Sequence, residues 1–203
     1  AATISVMHLR EAPPAVEPIQ FTIGSPEGSL FFGQAPQIAV SPDGRNMAFV
    51  ASQQTVSVLW VRTLGALAAR PLAGTEGATY PFWSADSRFV GFFADGALKT
   101  IDVHAGAAHR VCDAPAGEGG TWNREGVILF TPNARGPVLR VSADGGKVTE
   151  ATVYGPTDAT HRYPHFLPDG RHFLYLVRHG SGAGRGHDPE IRVGSLDSKD
   201  SKL

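Results

Sequence analysis

The chain is poor in cysteine, in charge and in long apolar runs. A single cysteine, Cys112, among 203 residues excludes an intrachain disulfide and a cysteine-built zinc cage. Charged residues make up 18% and the formal net charge is −1, so bulk charge offers no argument for nucleic acid or for an anionic membrane surface. With 42% hydrophobic residues, the balance is that of a globular chain and not of a disordered one. The apolar start, Ala1–Met7, falls far short of the ~20 residues of a membrane span. It reads as a frayed terminus or, alternatively, as the last turns of a helix that begins upstream. Glycine (24) and proline (15) are abundant together, as the many turns of an all-β fold require.

Proline punctuates residues 11–19, which read as a stiff linker. Residues 1–19 therefore form a juxtamembrane or linker segment ahead of a repeat region, 20–203. The closing Ser201-Lys-Leu203 matches a peroxisomal address and reads as a chance match.

The repeat region carries one turn motif four times. Ser41-Pro42-Asp43-Gly44-Arg45 recurs as Ser84-Ala85-Asp86-Ser87-Arg88, as Asn123-Arg124-Glu125-Gly126, and as Leu167-Pro168-Asp169-Gly170-Arg171. The acidic positions 43, 86, 125 and 169 lie 43, 39 and 44 residues apart. Proline presets φ, the carboxylate accepts nearby backbone N–H groups, and glycine takes positive φ. Each turn launches an apolar β-run: Met47–Ala51, Phe89–Phe93, Val127–Phe130 and Phe173–Val177. A second column follows at the same period: Leu59–Leu64, Leu98–Val103, Leu139–Asp144 and Ile191–Leu196. Fourth strands are expected at Ala69–Leu72, His109–Cys112 and Val148–Val153, with none in the last repeat. A period of ~40–45 residues with four strands per repeat predicts β-propeller blades, at about 35–75, 80–115, 121–155 and 163–203. A sandwich or a solenoid is the alternative. The predicted core is Ile38, Val40, Phe49, Trp60, Phe82, Trp83, Phe92, Ile101, Trp122, Leu129, Val141, Phe166, Leu174 and Val193.

Searches for chemistry find little. Five histidines, His161, His165, His172, His179 and His187, crowd the last repeat. They lack a ligand-spacing signature and read as turn and edge residues, so no metal and no cofactor is predicted. Gly180–Gly186 lacks the lysine and the following helix of a phosphate loop. Asp95 and Asp102 read as a turn residue and a solvent-facing residue, not as an acid–base pair. No Gly-x-Ser-x-Gly elbow and no kinase motif is present, so the segment itself is not predicted to be an enzyme.

The turn with its apolar strand resembles the WD-like repeats of TolB-type propellers. Five phrases are closer still to one group: Pro36-Gln-Ile-Ala-Val-Ser-Pro-Asp-Gly-Arg45, Leu59-Trp-Val-Arg62, Tyr80-Pro-Phe-Trp-Ser84, Gly91-Phe-Phe-Ala-Asp-Gly96 and His161-Arg-Tyr-Pro-His-Phe-Leu-Pro-Asp-Gly-Arg-His-Phe-Leu-Tyr175. They are similar to the propellers attached C-terminally to bacterial membrane serine/threonine protein kinases. That resemblance implies a transmembrane tail at residues 1–10, an extracytoplasmic, periplasmic location, and a role as the protein- or peptide-binding sensor lobe of a membrane-anchored parent. A prolyl-oligopeptidase-type propeller and a TolB-like periplasmic scaffold are the alternatives. Four repeats are fewer than such propellers usually hold. The chain is therefore expected to form an open arc with Phe173 or Leu174 exposed, and with it either missing blades downstream in the parent protein or self-association of the fragment. The alternative is a four-bladed ring closed by residues 20–23.

Overall fold

The computed structural model describes residues 24–31, 38–53, 55–180 and 188–198. The predicted tail, the linker, the candidate closing strand at 20–23, residues 181–187 and His187 lie outside the described residues. Among the described residues no helix is long and apolar enough to cross a membrane.

Every described element is a strand. They are β1 (Ser29–Phe31), β2 (Ile38–Val40), β3 (Asn46–Gln53), β4 (Val56–Thr63), β5 (Arg70–Pro71), β6 (Thr79–Trp83), β7 (Phe89–Ala94), β8 (Ala97–Asp102), β9 (Ala108–Asp113), β10 (Gly120–Trp122), β11 (Val127–Phe130), β12 (Leu139–Ser142), β13 (Gly145–Glu150), β14 (Asp158–Phe166), β15 (His172–His179) and β16 (Glu190–Ser195). They pair antiparallel as sequential meanders: β6-β7-β8-β9, β10-β11-β12-β13 and β14-β15-β16. In the first sheet β3-β4-β5 follow the same order, while β1 and β2 share one edge of β3, against Ala51–Gln53 and Met47–Phe49. The innermost strand of the first blade is thus in two pieces. The sequence reading placed no element at β1.

Innermost strands pack in succession, β2 on β6, β6 on β10 and β10 on β14. No contact of that extent joins the fourth sheet to the first among the described residues. The chain is four blades of a partial β-propeller.

The blades are joined by apolar clusters, because each sheet is too thin to bury its own side chains. Val50, Leu59, Trp83, Phe92 and Ile101 fill the first joint. Phe82, Phe93, Leu98, Ile128, Phe130 and Val141 fill the second. Leu129, Val138, Phe173, Tyr175 and Val177 fill the third. Polar rungs cross the joints as well: the Trp83 indole N–H donates to the Ala39 carbonyl at 2.9 Å, and the Phe166 N–H to Thr121 Oγ1 at 3.2 Å.

Two predicted core residues are corrected. Ile38 and Val40 are 54% and 57% exposed. They occupy the strand positions at which Pro81 and Trp83 face the preceding blade, and no described blade lies on that side of the first sheet. Trp122, Phe166, Leu174 and Val193 are half-buried, and the other eight predicted core residues are buried. Phe173, expected to be exposed, is fully buried against the third blade. Asp102, expected to face solvent, is buried, caps the N–H groups of His104 and Ala105, and receives Arg88 Nε at 2.8 Å. Val153 lies past the end of β13 and is exposed.

The repeated turns explain how each innermost strand hands over to the next. Gly44, Gly126 and Gly170 hold φ of 68°, 79° and 70°, the left-handed region that glycine adopts without strain, and Ser87 takes the same position at 61°. Asp43 Oδ1 receives the Ser41 hydroxyl at 2.5 Å and the Arg45 N–H at 2.9 Å, and Asp86 and Ser84 repeat the pattern. Asp169 receives the N–H groups of Arg171 and His172, both at 3.0 Å. These donors, with the His172 ring, hold its carboxyl down at about 2. In the third turn the acceptor is Asn123, not Glu125. Its Oδ1 takes the N–H groups of Glu125 and Val127, and its Nδ2 donates to the Gly170 carbonyl of the next blade at 2.8 Å. Asn123→Ala is therefore expected to cost ~2 kcal/mol, since two partly buried backbone N–H groups lose their acceptor and an inter-blade bond is lost with it. Glu125→Ala, at an exposed position, is expected to stay within ~0.5 kcal/mol. Urea-unfolding midpoints of the two variants check the contrast.

Candidate functional site: the axial cleft

The four innermost strands converge on a cleft of ≈ 730 Å³. Its walls are Ile38–Val40 from β2, Pro81–Trp83 from β6, Gly120–Trp122 from β10 and His165–Phe166 from β14. Its rim is the repeated turns. Pro42, Glu125, Pro168, Asp169 and Gly170 line it, whereas Asp86 opens onto a smaller cleft between the second and third blades with Phe89, Trp122 and Arg124. Ser41, Asp43, Gly44 and Gly126 do not line the axial cleft and serve the turns. The floor is apolar and aromatic, and Arg124, Glu125, His165 and Asp169 bring charge or hydrogen-bonding groups to its edge. A concave apolar site with a few convergent polar groups on rigid strands is the general form of a binding site.

At the opposite end of the same strands, the backbone is strained. Tyr80 and Tyr163 each precede a proline, and their φ values are 49° and 52°. Positive φ is costly for a bulky residue and is a feature that clusters at binding sites. Each sits in a register shift of its strand, β6 between Thr79 and Phe82, β14 between Arg162 and His165. The third blade places Gly119 at the same position, with φ 81°. The rings of Tyr80 and Tyr163 meet, with centroids 6.4 Å apart, and burial, then Tyr163 and Glu118, push the Tyr80 phenol up. Glu118 and Arg162 pair at 2.5 Å alongside. With Ile38, Pro81, Pro164 and His165, these tyrosines line a small cleft of ≈ 220 Å³. It shares Ile38, Pro81, Gly120 and His165 with the axial cleft, so the two adjoin. The signal available in the sequence was the Tyr-Pro dipeptide, present in both repeats at the same place.

One further constellation has the connectivity of a nucleophilic triad. Thr152 Oγ1 lies 2.8 Å from His161 Nδ1, and His161 Nε2 lies 3.0 Å from Asp158 Oδ2. Thr152 is 2% exposed and His161 0%, so no substrate reaches the hydroxyl. The Asp158 carboxylate can only accept, so the neutral imidazole carries its proton on Nε2, and Nδ1 accepts the Thr152 hydroxyl, whose Oγ1 in turn accepts the Val138 N–H at 3.0 Å. The group fastens the third joint. His179 approaches the other oxygen of Asp158 at 3.4 Å and Glu190 at 3.3 Å, whereas His172 pairs with Asp169 at 2.6 Å on the surface and His165 lies in the cleft wall. Among the described residues no cluster of three or more His, Cys, Asp or Glu side chains has the arrangement to hold a metal ion. Cys112 is buried, and burial pushes its thiol up to about 11.

No protein-family profile and no curated protein matches the chain. Solved structures do. A protein of Agrobacterium tumefaciens assigned as TolB superposes with a TM-score of 0.70 at 16% identity, covering 85% of this chain and 67% of that one. TolB from Acinetobacter baumannii gives 0.67 at 15% identity, over 81% of this chain and 42% of its own length. The β-propeller domain of the trilobed protease of Pyrococcus furiosus, described as an open velcro topology, gives 0.57 at 13% identity, over 82% and 55%. At these identities the likeness establishes the fold. The neighbours are TolB-type propellers and a related peptidase propeller, and this chain spans only part of each.

Proposed function

We propose that the chain is a non-catalytic binding lobe that takes a protein or peptide segment in its axial cleft. The observation that carries this reading is the ≈ 730 Å³ cleft, with an apolar floor on four rigid strands and a rim of turns. The lobe belongs, in this reading, to the extracytoplasmic side of a membrane-anchored bacterial serine/threonine protein kinase, supported by the five sequence phrases. A second reading is the propeller of a peptidase, favoured by the likeness to the propeller domain of the trilobed protease. The parent reading frame separates the two: a kinase and a membrane span, or a hydrolase domain with Gly-x-Ser-x-Gly.

A displayed peptide library selected on the purified chain tests the cleft. Enriched peptides are expected to lose about 10-fold in affinity with Arg124→Ala or His165→Ala, both exposed positions whose change leaves the fold intact. Equal binding to both variants would move the site elsewhere.

The isolated arc also carries surfaces suited to association. The described fourth sheet ends at β16 without an outer strand, and Ile191 on that strand is 65% exposed beside the half-buried Leu176 and Val193. An open edge with apolar side chains favours pairing. Sedimentation is expected to show concentration-dependent oligomers that Ile191→Lys reduces. A compact monomer at every concentration would contradict self-association.

A further inference from the structure

The repeated turns carry one more regularity, and it falls on the axial cleft. The residue just ahead of the acidic position lines that cleft in all four blades: Pro42, Ala85, Arg124 and Pro168. These are equivalent places on the rim, and three of them are apolar. Arg124 takes the proline position in the third blade and gives this ring its one charge. It is exposed, and among the described residues it makes neither a hydrogen bond nor an ion pair. Two arginines at the far end of the turns are committed by contrast, Arg88 to Asp102 at 2.8 Å and Arg171 to Asp197 at 2.5 Å.

Four carboxylates share the clefts that Arg124 lines, and none of them forms an ion pair with it. Glu125 and Asp169 line the axial cleft. Asp169 accepts two backbone N–H groups and faces the His172 ring at 2.6 Å, and Glu125 lies in the field of Arg171. Arg124 also lines the smaller cleft between the second and third blades, together with Asp86 and Asp144. Asp86 accepts the Ser84 hydroxyl and the Arg88 N–H, and Asp144 is exposed. A guanidinium left open beside apolar rim residues matches a carboxylate, which it can hold through two parallel hydrogen bonds. The surrounding acids limit the charge that fits. One negative charge is offset by Arg124, whereas the second charge of a phosphate meets four carboxylates with no further cation to answer it.

We propose that Arg124 selects the occupant of the axial cleft by charge. The occupant is a peptide segment with one aspartate or glutamate side chain, whose carboxylate meets Arg124 at the rim while an apolar neighbour in the segment packs on the wall that Trp122 and Phe166 provide. This selection rests on the reading of the cleft as a peptide site.

The test uses peptides enriched from a displayed library on the purified chain, resynthesised with an acetylated N-terminus and an amidated C-terminus so that only side chains carry charge. Each is titrated by fluorescence anisotropy in three forms: with its acidic residue, with the matching amide, and with phosphoserine in that place. The acidic form is expected to bind about 10-fold tighter than the amide, the scale of one charge-assisted hydrogen bond, and phosphoserine no tighter than the acid. The preference for acid is expected to vanish in Arg124→Gln and to persist in Arg45→Gln, which removes an exposed turn arginine that does not line the cleft. In Arg124→Glu it should invert, with lysine in the peptide binding better than the acid. Equal binding of acid and amide, an acid preference that survives Arg124→Gln, or tighter binding of phosphoserine overturns the proposal. Amide exchange separates this failure from failure of the peptide site itself. Protection at 120–125 and 165–170 without an acid preference overturns the selection by charge and leaves the peptide site standing; protection elsewhere, or no enriched peptide, overturns both.

Discussion

Replacing Gly120 with valine is expected to lower stability by ~3 kcal/mol or more, the range of severe overpacking in a joint that cannot relax. Gly120 lies on β10, and a Cβ there would sit 2.5 Å from Phe82 Cε1. The Phe82 ring cannot retreat. It already lies against Gly91, its cross-strand partner on β7, where an added Cβ would also collide with it. The ring is therefore held between two glycines from successive blades, 7% exposed, in the cluster that joins the second and third sheets. Valine at position 120 forces Phe82 out of that cluster or the blades apart. Gly65→Ala is the control: its added Cβ meets nothing within 4 Å, and a change within ~0.5 kcal/mol is expected. Urea denaturation reads both. Because the clash is with one ring, Gly120→Val combined with Phe82→Ala should be less destabilised than the sum of the two single variants. Additive losses would show that Phe82 is not the obstacle.

Removing His161 is expected to cost ~3 kcal/mol, from the cavity left and from the buried partners stranded together. Its ring is fully buried between Tyr154 and Tyr175, with centroids 5.5 and 5.1 Å away. His161→Ala leaves the Thr152 hydroxyl and the Asp158 carboxylate without their shared partner. The same group makes the third joint sensitive to acid. Burial holds the His161 imidazole below its ordinary range, against the opposing pull of Asp158. Its folded form is therefore neutral where the unfolded chain takes up a proton. Stability from this group is fully present above the ordinary histidine value near 6.5, and is lost as pH falls from there toward the folded value. Burial pushes the Asp158 carboxyl up, but the Gly155 N–H and His161 outweigh it and hold the group low. Its contribution is present above about 4 and is lost below that. Wild-type stability should thus fall as the pH drops below about 6.5, and that slope should flatten in His161→Phe. An unchanged slope would place the acid sensitivity elsewhere.

The sequence displayed the blades because turn chemistry is local. The four turns and their period depend on residues three to five apart, and so do the strands they launch. Residues facing a joint were legible only as apolar positions. Alternation marks Ile38 and Val40 as one face of a strand, but whether a sheet covers that face depends on the ring and not on the strand. Asn123 was hidden by its neighbour. Glu125 matches the acidic column, while the hydrogen bonds fall to the amide two residues earlier, at the position Ser41 and Ser84 hold in other blades. The cleft and the Thr152–His161–Asp158 group are products of assembly. His161 and Thr152 lie on different sides of a blade joint, and Trp122, Phe166 and Val40 meet only because three blades bring their innermost strands together. The strained tyrosines stood between these cases: their Tyr-Pro repetition was visible, and its backbone consequence was not.

Amide hydrogen exchange of the chain, free and saturated with a library-selected peptide, tests the binding role of the axial cleft most directly. Protection is predicted to rise in the innermost strands and turns, at residues 120–125 and 165–170, with no change in the outer strands β9 and β13. Protection appearing in β9 or β13 instead, with 120–125 and 165–170 unchanged, would contradict it.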